Sequence, residues 1–93
     1  MHPGEILRTD VLNRFGMSVK QLALSLGVPA TSMARIVNGR RAITPDTALR
    51  LARFLGTAPE LWIGLQAQYD LDRAREKFSA HIQRSVRPYK WAA

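Results

Sequence analysis

The stretch LGVPATSMARIVNGRRAIT, residues 26–44, carries two kinds of side chain at helical spacing. Its large apolar residues, Met33, Ile36 and Val37, recur at the spacing of one helix face. At about 100° per residue, the polar side chains between them turn to another face. These polar residues are Thr31, Ser32, Arg35 and Asn38. Gly39 then favours the left-handed turn that ends many helices, so the stretch predicts a short amphipathic helix with a free polar face.

A second short helix is predicted directly before this one. Ser18 is a suitable N-cap, and the residues after it repeat at the spacing of a buried helix face. They are Val19, Leu22, Ala23 and Leu26. Gly27 stands where a left-handed C-cap is needed, and Gly27-Val28-Pro29 leaves room only for a tight turn. Two short helices joined in this way have the spacing of a helix-turn-helix, whose second helix lies in the major groove of DNA.

Three further helices complete an all-α prediction with five helices. The first starts at Pro3 and ends before Gly16, the fourth starts at Thr44-Pro45-Asp46, and the fifth starts at a predicted capping box, Thr57-Ala58-Pro59-Glu60. Their predicted apolar faces are Leu7, Val11 and Phe15; Ala48, Leu51, Ala52 and Leu55; and Leu61, Trp62, Leu65 and Tyr69. Because aromatic residues at helical spacing usually pack in a core, we expect Trp62 and Tyr69 there.

The chain is predicted to divide into a helix-turn-helix domain at 1–72 and a C-terminal helical extension and tail at 73–93. In the extension, a four-residue spacing predicts an additional helix that ends before Pro88. Its stripe is Ala74, Phe78, Ile82 and Val86. The stripe either folds back onto the core or forms a surface for a second subunit or another partner. Trp91 is either the end of a frayed tail or an anchor for a partner.

Composition and charge exclude several classes of protein. The 93 residues contain no Cys, and their two histidines have no metal-ligand spacing, so we expect no disulfide, metal or other cofactor. No signal peptide or membrane span is recognisable, which predicts a cytoplasmic protein without membrane contact. The net charge is +7, and residues 14–55 hold seven Lys and Arg against one Asp. This distribution favours a polyanionic partner for the middle of the chain.

The helix-turn-helix prediction assigns two kinds of DNA contact. Base contacts fall to Thr31 and Ser32 near the helix start and to Arg35, which can pair with the O6 and N7 atoms of guanine. Phosphate contacts fall to residues at the start of the first helix of the pair and after the end of the second. These residues are Ser18, Lys20, Gln21, Asn38, Arg40 and Arg41.

Three segments together resemble the HigA antitoxins of bacterial toxin–antitoxin modules, within the phage-repressor-like proteins. They are HPGEIL at 2–7, LALSLGVPATSMARIVNGRRAIT at 22–44, and TPDTALRLARFLGTAPELWIGLQAQYDL at 44–71. The resemblance implies a lambda-repressor-like fold and a dimer that binds an operator in its own promoter. It also implies neutralisation of a small basic ribonuclease toxin. By position it adds Ala30 to the base contacts, where repressors often have a polar residue and a methyl group could touch thymine.

Alternative functions remain to be separated by experiment. The polar row on the third helix could be an ordinary solvated face, and Arg50 and Arg53 could carry charge without a partner. A free-standing phage-type regulator would bind DNA and have no toxin partner. A toxin nuclease or RNA-binding module is disfavoured, because the sequence shows neither an acid–base constellation nor an aromatic sheet platform. We therefore expect binding, not catalysis.

Overall fold

The computed structural model describes residues 1–90, in which all regular structure is helical. The first helix, α1, is α-helical at Pro3–Ile6 and continues as a π-helix at Leu7–Asn13. The other helices are α2 at Val19–Leu26, α3 at Ala30–Val37, α4 at Pro45–Leu55 and α5 at Pro59–Ser85. The predicted all-α fold with five helices is confirmed. Trp91 lies outside the described residues.

Most helix boundaries follow from local capping. Ser18 and Gln21 form a capping box at the start of α2, and Gly27 ends this helix in the left-handed conformation. Thr44 caps α4 through its hydroxyl, which accepts a hydrogen bond from the Thr47 amide. These boundaries were accessible from the sequence because each depends on residues no more than four positions apart.

The capping box predicted for α5 is wrong. Ala58 is the N-cap and makes no side-chain cap. The Thr57 hydroxyl instead accepts a hydrogen bond of 2.8 Å from the indole nitrogen of Trp62. Trp62 is buried as predicted, and its N–H needs an acceptor there, so the threonine satisfies the indole rather than the helix end.

One core holds the five helices together, and α2, α3 and α4 surround the central side chains. Leu7, Leu22, Met33 and Leu51 are fully buried at its centre. Leu12 belongs to this core, whereas the predicted Phe15 is 66% exposed. The π-helix explains the difference: its hydrogen bonds run to the fifth preceding residue, so each turn holds more residues than the four-residue spacing assumed.

The helix predicted in the C-terminal extension is present as the continuation of α5, which runs for 27 residues without a break. No Gly or Pro lies between Gly64 and Pro88 to end it. The distal half leaves the core, which gives the molecule its extents of 54 × 23 × 22 Å. Phe78, Ile82 and Val86 are exposed. The alternative in which this stripe folds back onto the core is therefore wrong. Among residues 1–90, no helix has the length and apolar composition to cross a bilayer.

Candidate nucleic-acid interface

Helix α3 presents the polar face that the sequence predicted. Met33, Ile36 and Val37 are buried against α2 and the rest of the core. Ala30, Thr31 and Arg35 are exposed on the other side. The arrangement frees the first turns of α3 for contact with a partner, because the apolar face alone attaches the helix to the domain.

The Arg35 side chain has no partner among the described residues, 1–90. Its guanidinium is exposed and makes no hydrogen bond or ion pair with any side chain or backbone group in residues 1–90. A free guanidinium on the outer face of a helix can donate two parallel hydrogen bonds to a planar acceptor pair. The O6 and N7 atoms of guanine form such a pair in the major groove of DNA.

Ser32 is oriented differently from its neighbours. It is half-buried, and its hydroxyl accepts a hydrogen bond of 3.2 Å from Nη1 of Arg41. The two residues line a groove of about 180 Å³ with the start of α4. The contact brings Arg41 back beside the first turns of α3. Ser32, a predicted base-contact residue, is therefore hydrogen-bonded to Arg41, a predicted phosphate-contact residue. A base contact by Ser32 itself stays a prediction.

The end of α3 aims the two following arginines. Gly39 has φ +72°. Its amide donates a hydrogen bond to the Ile36 carbonyl, and the Arg40 amide donates one of 2.8 Å to the Arg35 carbonyl. This pair of bonds is a Schellman motif, which requires a left-handed residue at Gly39. The chain therefore turns sharply, and Arg40 and Arg41 follow α3 as exposed side chains.

Asn38 is held by a residue that the sequence did not point to. Nη2 of Arg8 donates to Oδ1 of Asn38 at 2.6 Å and to the Val37 carbonyl at 3.2 Å. The contact joins α1 to the end of α3 across 30 residues of sequence, so no local pattern could reveal it. Asn38 keeps its amide N–H groups for other partners, and its phosphate contact stays a prediction.

The start of α2 supplies the second predicted contact area. Ser18 accepts a hydrogen bond from the Gln21 amide at 3.1 Å, and the Gln21 side chain accepts one from the Ser18 amide at 2.8 Å. Both side-chain acceptors are therefore occupied, but the Ser18 hydroxyl proton and the Gln21 amide N–H groups can still donate. Lys20 is exposed beside them. All three residues can donate hydrogen bonds to an anion, and their phosphate contacts stay predictions.

The loop that carries Arg40 and Arg41 is fixed from beneath. Ile43 is buried, and its amide donates 2.9 Å to Oε1 of Gln66 in α5. Gln66 is itself buried and donates 3.0 Å to Asp70. Local spacing did not identify this brace, since the two partners lie 23 residues apart. It holds the loop at a constant position relative to the core.

Arg50 also has a structural role. It forms an ion pair with Asp46 and donates 2.9 Å to the Leu26 carbonyl at the end of α2. These contacts give the Arg50 charge partners within its own chain. Within residues 1–90 the only other ion pair joins Asp72 to Arg75, so Arg35, Arg40 and Arg41 form no ion pair. Their charge remains available for an anion.

The N-terminus is packed against the end of α3. His2 is buried, and its Nδ1 caps α1 by accepting 2.9 Å from the Gly4 amide. Its ring meets the Tyr69 ring edge to face at 4.8 Å between centroids. Burial lowers the pKa of His2, and the negative charge of Asp70 opposes this shift. No local pattern in the sequence indicated the contact of His2 with α5.

Comparison with known proteins adds independent information. Residues 10–62 match the family HTH_3, described as "Helix-turn-helix". The chain is 43% identical over 76 residues to the virulence-associated protein I of Dichelobacter nodosus, covering 82% of this chain and 70% of that protein. It is also 33% identical over 75 residues to the antitoxin HigA-1 of Vibrio cholerae, covering 81% and 70%.

Solved structures agree over nearly the whole chain. An addiction module antidote protein of the HigA family from Coxiella burnetii is 47% identical, with a TM-score of 0.90 and coverage of 96% of this chain and 97% of that chain. The Pseudomonas aeruginosa antitoxin HigA, solved with the higBA promoter, is 38% identical, with a TM-score of 0.91 and coverage of 95% and 96%. The likeness includes α5 as well as the helix-turn-helix.

Proposed function

Because the chain belongs to the HigA antitoxin family of helix-turn-helix proteins, we propose that it is an antitoxin that also represses its own operon. In this role it binds operator DNA as a homodimer and neutralises a small basic ribonuclease toxin. The function is binding, not catalysis, and we expect it in the cytoplasm. The exposed polar face of α3, with the unpaired Arg35, is the observation that carries the proposal.

On DNA, α3 lies in the major groove with its first turns toward the base edges. Arg35 reads guanine, while Ala30 and Thr31 make the smaller contacts near the start of the helix. Arg40, and Arg41 held by Ser32, neutralise phosphates on one side of the groove. Lys20, Gln21 and Ser18 contact the backbone on the other side, where the start of α2 approaches it.

A dimer places two copies of α3 on one face of the duplex. Successive major grooves on that face lie about 34 Å apart, so the operator should contain two half-sites related by two-fold symmetry. The toxin partner follows from membership of the HigA antitoxin family. Its test must therefore include the toxin directly.

Two measurements test the function. The purified protein should shift DNA from upstream of its own gene and not a scrambled duplex of equal length and composition. Coexpressed with the product of the neighbouring gene, it should copurify with that product and suppress its cleavage of messenger RNA. A protein that binds the upstream DNA but neither binds nor inhibits the neighbour is a free-standing regulator, and the antitoxin proposal is then wrong.

A further inference from the structure

Arg8 of α1 is held against the end of α3, although its side chain is exposed. Nη2 of Arg8 donates hydrogen bonds of 2.6 Å to Oδ1 of Asn38 and of 3.2 Å to the Val37 carbonyl. Gly4, one helical turn earlier in α1, packs against the Ile36 carbonyl and leaves no room for a Cβ atom. The start of α1 therefore lies on the last turn of α3, and the Arg8 guanidinium has a defined position there.

The charge of Arg8 is not neutralised by any group in residues 1–90. Its two acceptors are neutral amide oxygens, and the ion pairs in this part of the chain use Arg50 and Arg75. Glu5 and Asp10, the acids nearest in sequence, form no ion pair with it. A guanidinium stays charged at every physiological pH, so a full positive charge lies at the end of α3. The N–H groups of Nε and Nη1 make no hydrogen bond within residues 1–90 and can donate to another partner.

Asn38 connects Arg8 to the exposed polar face of α3. At about 100° per residue, Thr31, Arg35 and Asn38 follow one another along one side of the helix. All three residues are exposed. Because Arg8 occupies the oxygen of the Asn38 amide, the nitrogen of that amide is left as a donor. Arg8 thus extends the row of polar side chains on α3 by one cation from a different helix.

The place of Arg8 and Asn38 matches the edge of the major groove. Helix α3 has eight residues, Ala30–Val37, and is therefore about 12 Å long. The major groove of B-DNA has a similar width, about 12 Å. When the first turns of α3 contact base edges, the end of the helix reaches the side of the groove, where the phosphates lie.

We propose that Arg8 and Asn38 together bind one phosphate of the DNA backbone at the edge of the groove that α3 enters. The free N–H groups of Arg8 and the amide nitrogen of Asn38 donate to the phosphate oxygens, while the Val37 carbonyl keeps the guanidinium in place. The inference rests on the proposed operator binding. It adds α1, which lies outside the helix-turn-helix, to the DNA interface.

The geometry of the free protein favours this contact. An unrestrained arginine loses side-chain entropy when it binds a partner, whereas two hydrogen bonds already order the Arg8 guanidinium. A cation at the C-terminal end of a helix also stabilises that helix, so Arg8 could serve the fold alone. The two roles are separable, because only a phosphate contact changes the salt dependence of DNA binding.

Salt titrations of the full chain test the Arg8 contact. Arg8→Gln should weaken binding to the duplex from upstream of the gene and to a scrambled duplex by the same factor. For both duplexes, the slope of the logarithm of the binding constant against the logarithm of the salt concentration should become shallower by about one for each bound chain. Arg53→Gln, at an exposed arginine of α4, is the matched control and should keep the wild-type slope.

Asn38→Asp separates the phosphate contact from a role in the fold. The introduced carboxylate can accept the hydrogen bond from Arg8 as an ion pair, so thermal unfolding should stay close to that of the wild type. The same change neutralises the guanidinium and removes the amide donor, so binding to both duplexes should weaken and the slope should become shallower. Gln83→Glu makes the same change of charge at an exposed position of α5 and should leave binding unchanged.

The outcomes distinguish this inference from the proposed function. If the wild type binds the upstream duplex and a folded Arg8→Gln or Asn38→Asp variant keeps the wild-type slope, the phosphate contact is refuted and operator binding stands. If Arg8→Gln does not fold, Asn38→Asp decides alone. If the wild type binds neither duplex, operator binding and the phosphate contact are both wrong.

Discussion

Arg35 and Arg40 lie close together, since the Arg40 amide donates a hydrogen bond to the Arg35 carbonyl. Their contacts with DNA should nevertheless differ, with Arg35 on a base and Arg40 on a phosphate. Arg35 lies on the exposed face of α3, and Arg40 follows the Schellman motif that ends it. A guanidinium on a base edge distinguishes sequences, whereas one on a phosphate neutralises charge in any sequence. Measured binding can therefore separate the two roles.

Arg35→Ala should weaken binding to the operator by about 5- to 150-fold, the equivalent of roughly 1–3 kcal/mol for a bidentate contact with guanine. Binding to scrambled DNA should change much less, so the specificity ratio falls. Fluorescence anisotropy with both duplexes measures this ratio. Arg53→Ala, at an exposed arginine of α4, is the control and should leave the ratio unchanged.

Arg40→Ala should weaken operator and scrambled DNA by the same factor. The slope of the logarithm of the binding constant against the logarithm of the salt concentration should become shallower by about one. Titrations at several salt concentrations give this slope. If Arg40→Ala instead lowers binding only to the operator, the residue reads sequence and the assigned division is incorrect.

Gly4 shows a residue-scale constraint that the sequence does not display. A Cβ atom built on Gly4 would collide with the backbone carbonyl of Ile36, because α1 begins directly against the end of α3. From the sequence alone, Gly4 is one glycine near a helix start. Its need for a close approach depends on a carbonyl group 32 positions away, which no local pattern encodes.

Gly4→Ala should therefore lower the free energy of unfolding by about 1–3 kcal/mol, the usual range for overpacking. The backbone around Ile36 has to shift, since no flexible side chain can yield instead. Urea denaturation followed by helical circular dichroism measures the change. Gly64→Ala is the matched control, because an added Cβ there meets no atom within 4 Å. Equal losses for both variants would refute the close-approach argument.

At the scale of elements, sequence patterns predicted the helix ends correctly where residues close in sequence determine them. The capping box of α2, the Thr44 cap of α4 and the glycine after α3 all depend on near neighbours. They failed where a distant partner competes. The Thr57 hydroxyl binds the Trp62 indole and does not cap α5. Phe15 lies outside the predicted apolar face because part of α1 is a π-helix.

The residues of the candidate site also divide into those that the sequence predicted and those that it did not. The exposed positions of α3 followed from helical periodicity, because a single buried face determines where the opposite face points. The side chains that hold the site together, Arg8 and Gln66, bind groups 30 and 23 residues away. Their roles depend on how α1 and α5 pack, and a single sequence without its fold does not specify that packing.

Gln66 connects α5 to the loop that carries Arg40 and Arg41. Replacing it by Leu removes the acceptor for the buried Ile43 amide, so we expect a loss of about 1–3 kcal/mol in the free energy of unfolding. DNA affinity should also fall, since the loop loses its support. Gln68→Leu is the control, because Gln68 bonds to Asp72 only on the exposed face. Thermal unfolding and DNA titration of both variants should show a large effect for Gln66 alone.

At the scale of the whole molecule, His2 joins three parts of the fold. Its ring caps α1, contacts Tyr69 of α5 and lies against Gly39 after α3. The charged groups around it are the N-terminal amine, Glu5 of α1 and Asp70 of α5. Because burial lowers the pKa of His2, the folded state binds a proton less readily than the unfolded state does. Protonation would also remove the Nδ1 acceptor that caps α1.

The stabilisation from neutral His2 should therefore be complete above the pKa of about 6.5 that histidine has in an unfolded chain. As the pH falls below this value, the unfolded state takes up the proton first and the folded protein loses stability. His2→Asn retains a capping side chain without titration, so its stability should vary less between about pH 7 and pH 5. Urea denaturation across this range compares wild type, His2→Asn and the control His81→Gln, in which the exposed histidine of α5 is replaced. If the pH dependence disappears with His81→Gln and persists with His2→Asn, the junction of α1, α3 and α5 is not its source.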